Sequence, residues 1–186
     1  MNFKVCLASL LLLAAALPAA AKEPPMKIKA RLADAARYEV PQGSTETFVT
    51  NQGDPQAVLA RDLHKIKVRL SGGKGSRYKT SGDFMAGFEV LSKGGKKAEK
   101  AGPVLVSGER VMLFSREVAV SLPAPDTGGP SIFGKEEFCV VPYGKQFFVL
   151  SYAYGDSIPD PSYDGLAAWR QFLKTFRLVK EAKAAK

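Results

Sequence analysis

Apolar and polar positions alternate most cleanly in HKIKVRL, residues 64–70. Ile66, Val68 and Leu70 share one parity; Lys65, Lys67 and Arg69 share the other. A period of two with one charged side predicts a half-buried strand of an antiparallel sheet, its basic side in water. Shorter runs of the same kind recur. RYEV (37–40), TETFVT (45–50) and REVAVSL (116–122) read as strands. FMAGFEVLS (84–92) reads as another, set between two glycine- and lysine-rich loops at 71–83 and 93–103. VLVSGERVML (104–113) reads as a tight hairpin with Gly108 at the first central position of a type II′ turn. EEFCVVPYGKQFFVLSYAY (136–154) reads as a second hairpin, with Pro142 and Gly144 in a type I turn.

Two segments carry a helical signal. QAVLARDL (56–63) follows Asp54-Pro55, a capping residue and a proline suited to the first helical position, and predicts a short helix. From Asp160 onward, Leu166, Trp169, Leu173 and Phe176 fall three or four apart, with Phe172 beside them. Asp160 is the expected cap, Pro161 the expected first residue, and Gly165 a weak point. The pattern as a whole predicts an α+β fold, a mostly antiparallel sheet with a C-terminal amphipathic helix packed on it.

The first residues stand apart. MNFKVCLASLLLLAAALPAAAKEPP has one cation, an apolar run from Val5 to Ala16, Pro18, and three small residues. This predicts a signal peptide over 1–21 cleaved near Ala21, and a periplasmic or secreted protein. The run is too short to span a bilayer core of about 30 Å, and the mature chain shows no other candidate span. Residues 22–36 read as a tether or a short helix, 37–180 as one α+β domain, and 181–186 as a basic tail. Removing 1–21 also removes Cys6 and leaves Cys139 as the single cysteine, so no internal disulfide forms.

Composition narrows the chemistry. One histidine, His64, and one mature cysteine fall short of a zinc ligand set. Asp156, Asp160 and Asp164 are four apart but lack the spacing of a calcium loop. SGGKGS (71–76) lacks the upstream glycine and following helix of a phosphate loop. Cys139 sits mid-strand between Phe138 and Val140, which suits a small core residue better than a reactive thiolate. No catalytic residue, metal site or cofactor is expected.

Charge is the strongest functional clue. Of a net +9, most lies in residues 61–100, where eleven Lys or Arg meet four Asp or Glu. Lys65, Lys67, Arg69, Lys74, Arg77, Lys79, Lys93, Lys96 and Lys97 are the candidate binding residues. Such a patch suits an anionic envelope component or an acidic protein; solvated lysines that keep strand edges from pairing are the plainer reading. Nucleic acid is disfavoured, because only Tyr78 stands among the charges as a stacking surface.

Phe147–Tyr152, Trp169, Phe172, Leu173, Phe176 and Arg177 form an apolar strand, a loop and a helix ending in Phe-Leu-x-x-Phe-Arg. This is similar to the closing strand and helix of PsbP/Mog1-like domains. The resemblance covers about a fifth of the chain. It implies an α/β/α sandwich with an earlier helix on the sheet, for which 56–63 is the available segment. It also implies a role in binding or assembly and transfers no functional residue. The expectation is therefore an exported, non-enzymatic binding or accessory protein that engages an anionic partner. The alternative is an exported hydrolase using carboxylates or Cys139.

Overall fold

The computed structural model describes residues 23–121, 131–155 and 163–179. The expected signal peptide, Asp156, Asp160, Pro161 and the basic tail lie outside the described residues. The chain forms α1 (Pro25–Ala35), β1 (Ala36–Arg37), β2 (Thr45–Asn51), β3 (Asp54–Arg61) and β4 (His64–Ser71). Then come α2 (Ser81–Ala86), β5 (Glu99–Val106), β6 (Glu109–Ser121), β7 (Ile132–Tyr143), β8 (Gln146–Gly155), α3 (Gly165–Thr175) and β9 (Arg177–Leu178).

Seven strands make one antiparallel sheet in the order β2-β3-β4-β8-β7-β6-β5. The mostly antiparallel sheet and the C-terminal helix agree with the alternation in the sequence. The sheet is two meanders, β2–β4 and β5–β8, joined where β4 pairs with β8. Residues 72–98 link the meanders by crossing one sheet face from the end of β4 to the start of β5.

The opposite face holds the main core. Val68, Cys139, Phe148, Leu150 and Tyr152 from the strands share one buried cluster with Ile28 and Leu32 of α1. Trp169, Phe172, Leu173 and the following Phe176 belong to it too. In α1 the spacing of Ile28, Leu32 and Ala35 puts three buried side chains on one stripe. The segment read as a tether or helix is thus helical, and packs against β2 and β3. A two-stranded ribbon, Ala36↔Leu178 and Arg37↔Arg177, ties the ends of α1 and α3 together.

Several local expectations fail for physical reasons. Residues 56–63 lie in strand β3 and its turn, not a helix. Asp54 does not cap; its carboxylate accepts a 2.6 Å hydrogen bond from the Ser71 hydroxyl across the meander. Residues 84–92 are not a strand. They hold the end of α2, a 3-10 turn at Phe88–Val90 and an isolated bridge at Leu91. The β5–β6 turn has positive φ at both Ser107 (51°) and Gly108 (84°), which makes it type I′ with Gly108 in second place. In the β7–β8 hairpin, Pro142 stays in the strand opposite Phe147, and the turn is Gly144-Lys145. Gly144 there carries the positive φ of 56°. The closing helix starts at Gly165 rather than Pro161, capped by Asp164 Oδ1 accepting from the Ala167 amide at 2.9 Å.

Candidate functional site

The crossing segment covers a sheet face whose inward residues follow from strand parity. β4 presents Lys67, Arg69 and Ser71; β8 presents Phe147, Val149 and Ser151 beside them. β7 adds Glu136 and Phe138, and β6 adds Arg116 opposite Glu136. Gln56 of β3 lies opposite Arg69. The covering segment closes over one part with Tyr78, Phe84 and Val90, which form a second small core with Phe138, Phe147 and Val149. Its anchor is a close backbone approach. Gly53, at φ 84° in the β2–β3 turn, lies so near the Gly75 carbonyl that a Cβ would stand 2.1 Å from it.

Beside that small core the face is charged and largely buried. Arg69 is 6% exposed. It donates to Glu89 Oε2 at 3.0 Å, stands 4.0 Å from Asp54 Oδ2, and lies over the Phe84 ring. Arg116 donates through Nε to Glu136 Oε2 at 2.8 Å, again through Nη2 to the same oxygen, and through Nη1 to the Leu91 carbonyl at 3.4 Å. Lys67 Nζ stands 3.8 Å from Glu136 Oε1. Burial would push the Glu136 carboxyl up, but Lys67, Arg116 and Ser151 outweigh it and hold it below the usual glutamate value. Asp54 moves the other way, raised chiefly by burial. A cavity of about 130 Å³ lies in this cluster, lined among others by Gln56, Lys67, Arg69, Glu89, Glu136 and Ser151.

The structure divides the candidate binding residues. The expectation that Lys65, Lys67 and Arg69 share a wet face is corrected: Arg69 is buried under the crossing segment and Lys67 and Lys65 are half-buried. The reason is tertiary cover, which alternation alone does not reveal. Lys74, Arg77 and Lys79 lie exposed near the β2–β3 turn, where Arg77 donates to Gln52 and Lys79 to the Gly73 carbonyl. Lys93 lies at the other end of the crossing, 3.6 Å from Glu117 and over the Phe133 ring. Lys96 and Lys97 are exposed beyond it. The sequence reading missed Gln56, Glu89, Arg116, Glu136 and Ser151. A usable signal was present, since Arg116 and Glu136 are charges inside otherwise strand-like runs.

Cys139 is fully buried in the main core, and burial pushes its thiol up to about 12. His64 does not reach it; its Nδ1 lies 2.8 Å from the Tyr152 hydroxyl. That pair sits under the start of α3, where Gly165 is required rather than weak. A Cβ there would lie 2.2 Å from the Tyr152 hydroxyl and 2.5 Å from His64 Nδ1. Gly165→Ala is therefore expected to destabilise by about 1–3 kcal/mol, the range for overpacking, despite the better helix former. A thermal melt equal to or above that of the unmodified chain would refute this. Among the described residues, no group of three or more His, Cys, Asp or Glu is placed to hold a metal, and no helix is long and apolar enough to cross a membrane.

No family model matches the chain, and neither a curated protein nor a solved structure matches it.

Proposed function

We propose that this chain is an exported, non-enzymatic binding or accessory protein that engages an anionic partner through the outer surface of residues 72–98. One observation carries the reading. The segment contains six Lys or Arg and two carboxylates; Glu89 turns inward, while Asp83 caps the short helix and stays exposed. Asp83 closes a capping box with Thr80, its Oδ2 accepting from the Thr80 amide at 3.0 Å. Glu89 accepts from Arg69. The outward charge is left predominantly positive, with exposed Asp83 and the Lys93–Glu117 pair offsetting part of it, and such an excess attracts and orients an envelope polymer or an acidic protein. Export is read from the N-terminal pattern.

Retention of the mature chain on an immobilised polyanion tests this. Retention should fall steeply with salt, and the pair Lys96→Glu and Lys97→Glu, or Lys74→Glu and Lys79→Glu, should shorten it markedly at unchanged melting temperature. Equal retention of both double variants at low salt would sink the reading. A carboxylate hydrolase is the second reading, favoured by Glu89 and Glu136 lining one cavity. Against it, Glu136 is held below the usual glutamate value by Lys67 and Arg116, whereas a general acid needs a carboxyl raised rather than lowered.

A further inference from the structure

The outer surface of residues 72–98 carries apolar side chains as well as cations, and attraction between charges gives them no role. Phe88 opens the 3-10 turn at Phe88–Val90. That turn buries Val90 and points Glu89 at Arg69, which leaves Phe88 60% exposed. The Arg77 guanidinium lies over the Phe88 ring, 4.4 Å from its centroid. Further along the segment, Lys93 Nζ stands 3.9 Å from the centroid of the exposed Phe133 ring. An outward aromatic with a cation across it thus occurs twice.

The sheet face that the segment crosses continues the pattern. Met112 has the strand parity of Phe114, which packs against the small core under the segment. Register sets Met112 opposite Pro103 and Arg110 opposite Leu105, so all four share that face. Leu105 is 64% exposed, and Met112 and Arg110 are exposed as well.

A soluble polyanion would neutralise the cations and leave Phe88, Leu105 and Met112 in water. An acidic protein would need a recess of its own for Phe88, which projects from a turn. A bilayer with anionic headgroups meets both demands. Its phosphates take the ammonium and guanidinium groups, and the boundary with the acyl chains takes the rings and aliphatic ends. Aromatic side chains favour that depth, and long basic side chains keep their charge in the headgroup layer above it.

We infer that the face crossed by residues 72–98 docks on an anionic lipid surface. Phe88, Leu105 and Met112 enter the headgroup boundary, and the cations around them meet the phosphates. This rests on the outer-surface reading above and narrows its anionic partner to lipid.

Co-sedimentation of the mature chain with vesicles tests the inference. Mixed phosphatidylglycerol and phosphatidylcholine vesicles should bind at least tenfold more tightly than phosphatidylcholine alone. Phe88→Ser combined with Leu105→Ser should weaken vesicle binding at least tenfold and leave retention on the immobilised polyanion unchanged. Both positions are exposed, and a circular-dichroism melt checks that the double variant folds. Phe88→Trp gives a second readout, because its added indole should shift to bluer emission on anionic vesicles. Trp169 is already fully buried and supplies a constant background. No binding to anionic vesicles, equal binding to neutral ones, an unshifted indole, or full vesicle binding by the folded double variant overturns the inference. Retention on the polyanion with vesicles ignored assigns the surface to a polymer or an acidic protein, and removes the lipid alone. Loss of both removes the outer-surface reading with it.

Discussion

Glu136→Ala is expected to remove about 3–5 kcal/mol of folding stability, the range seen when one partner of a buried ion pair is deleted. The measurement is a urea midpoint at an unchanged denaturant slope. Glu136 is 4% exposed and is the carboxylate on which both Arg116 and Lys67 converge. Its removal leaves a guanidinium beneath the crossing segment with only the Leu91 carbonyl, at 3.4 Å, to receive it. The double variant Glu136→Leu with Arg116→Met should recover most of the loss, because apolar residues of similar volume need no partner. A single-variant loss under about 1 kcal/mol, the value of an exposed pair, would refute the assignment.

The same carboxylate sets a pH signature. A carboxyl held low in the folded state stabilises that state above its unfolded value, about 4.3 for glutamate. The contribution is lost as pH falls through the lower folded value. Asp54 has the opposite sign: raised by burial, it favours the folded state at low pH and loses that contribution as pH rises through its folded value. Glu136→Gln should therefore lose less stability than the unmodified chain between about pH 4.3 and strongly acidic conditions. Parallel acid titrations would count against this account.

Trp169→Ala is the second large loss, about 3–5 kcal/mol for deletion of a buried large aromatic. Trp169 is fully buried, stacks with Phe172 at 5.7 Å and Tyr152 at 6.1 Å, and donates through Nε1 to Glu137 Oε2 at 3.0 Å. Trp169→Phe isolates the polar part. It keeps a ring in the cluster but loses the hydrogen bond, and should cost no more than about 1.5–3 kcal/mol, the value of a hydrogen bond to a charged group. Glu137 remains held by Arg170, which donates to both its oxygens. Equal losses for Phe and Ala would show that the indole bond, not packing, anchors α3.

How far the sequence could be read depended on which neighbour decided each residue's state. β4 was legible because Ile66, Val68 and Leu70 face a core that any half-buried strand needs. Trp169, Leu173 and Phe176 were legible for the same reason in a helix. β3 was not. Asp54-Pro55 signals a helix start in isolation, but Gln56, Ala57 and Leu59 are buried between two neighbouring strands, and pairing overrides a local cap. Residues 84–92 misled in the opposite sense, since a β-like composition is broken where Gly87 closes onto Tyr78; a Cβ there would stand 2.6 Å from the hydroxyl. The charged site was hidden for a third reason. Arg69 meets Glu89, twenty residues on, across a crossing that no periodicity encodes. Its basic neighbours on the loops, Lys74, Lys96 and Lys97, were legible as exposed because nothing covers them.

The seam between β4 and β8 has a consequence in time. Its rungs run from Ser71↔Phe147 to Lys65↔Ala153, so no rung forms until a ribosome has released nearly the whole domain. Each meander can close locally on its own hairpins, but contacts this distant in sequence slow the final step. A chain arrested before Gln146 has an open β4 edge and a main core without Phe148, Leu150 and Tyr152. Completion of the sheet is therefore a late event of synthesis, because both meanders can form hairpins early but wait for β8, in the last quarter of the chain, to join them.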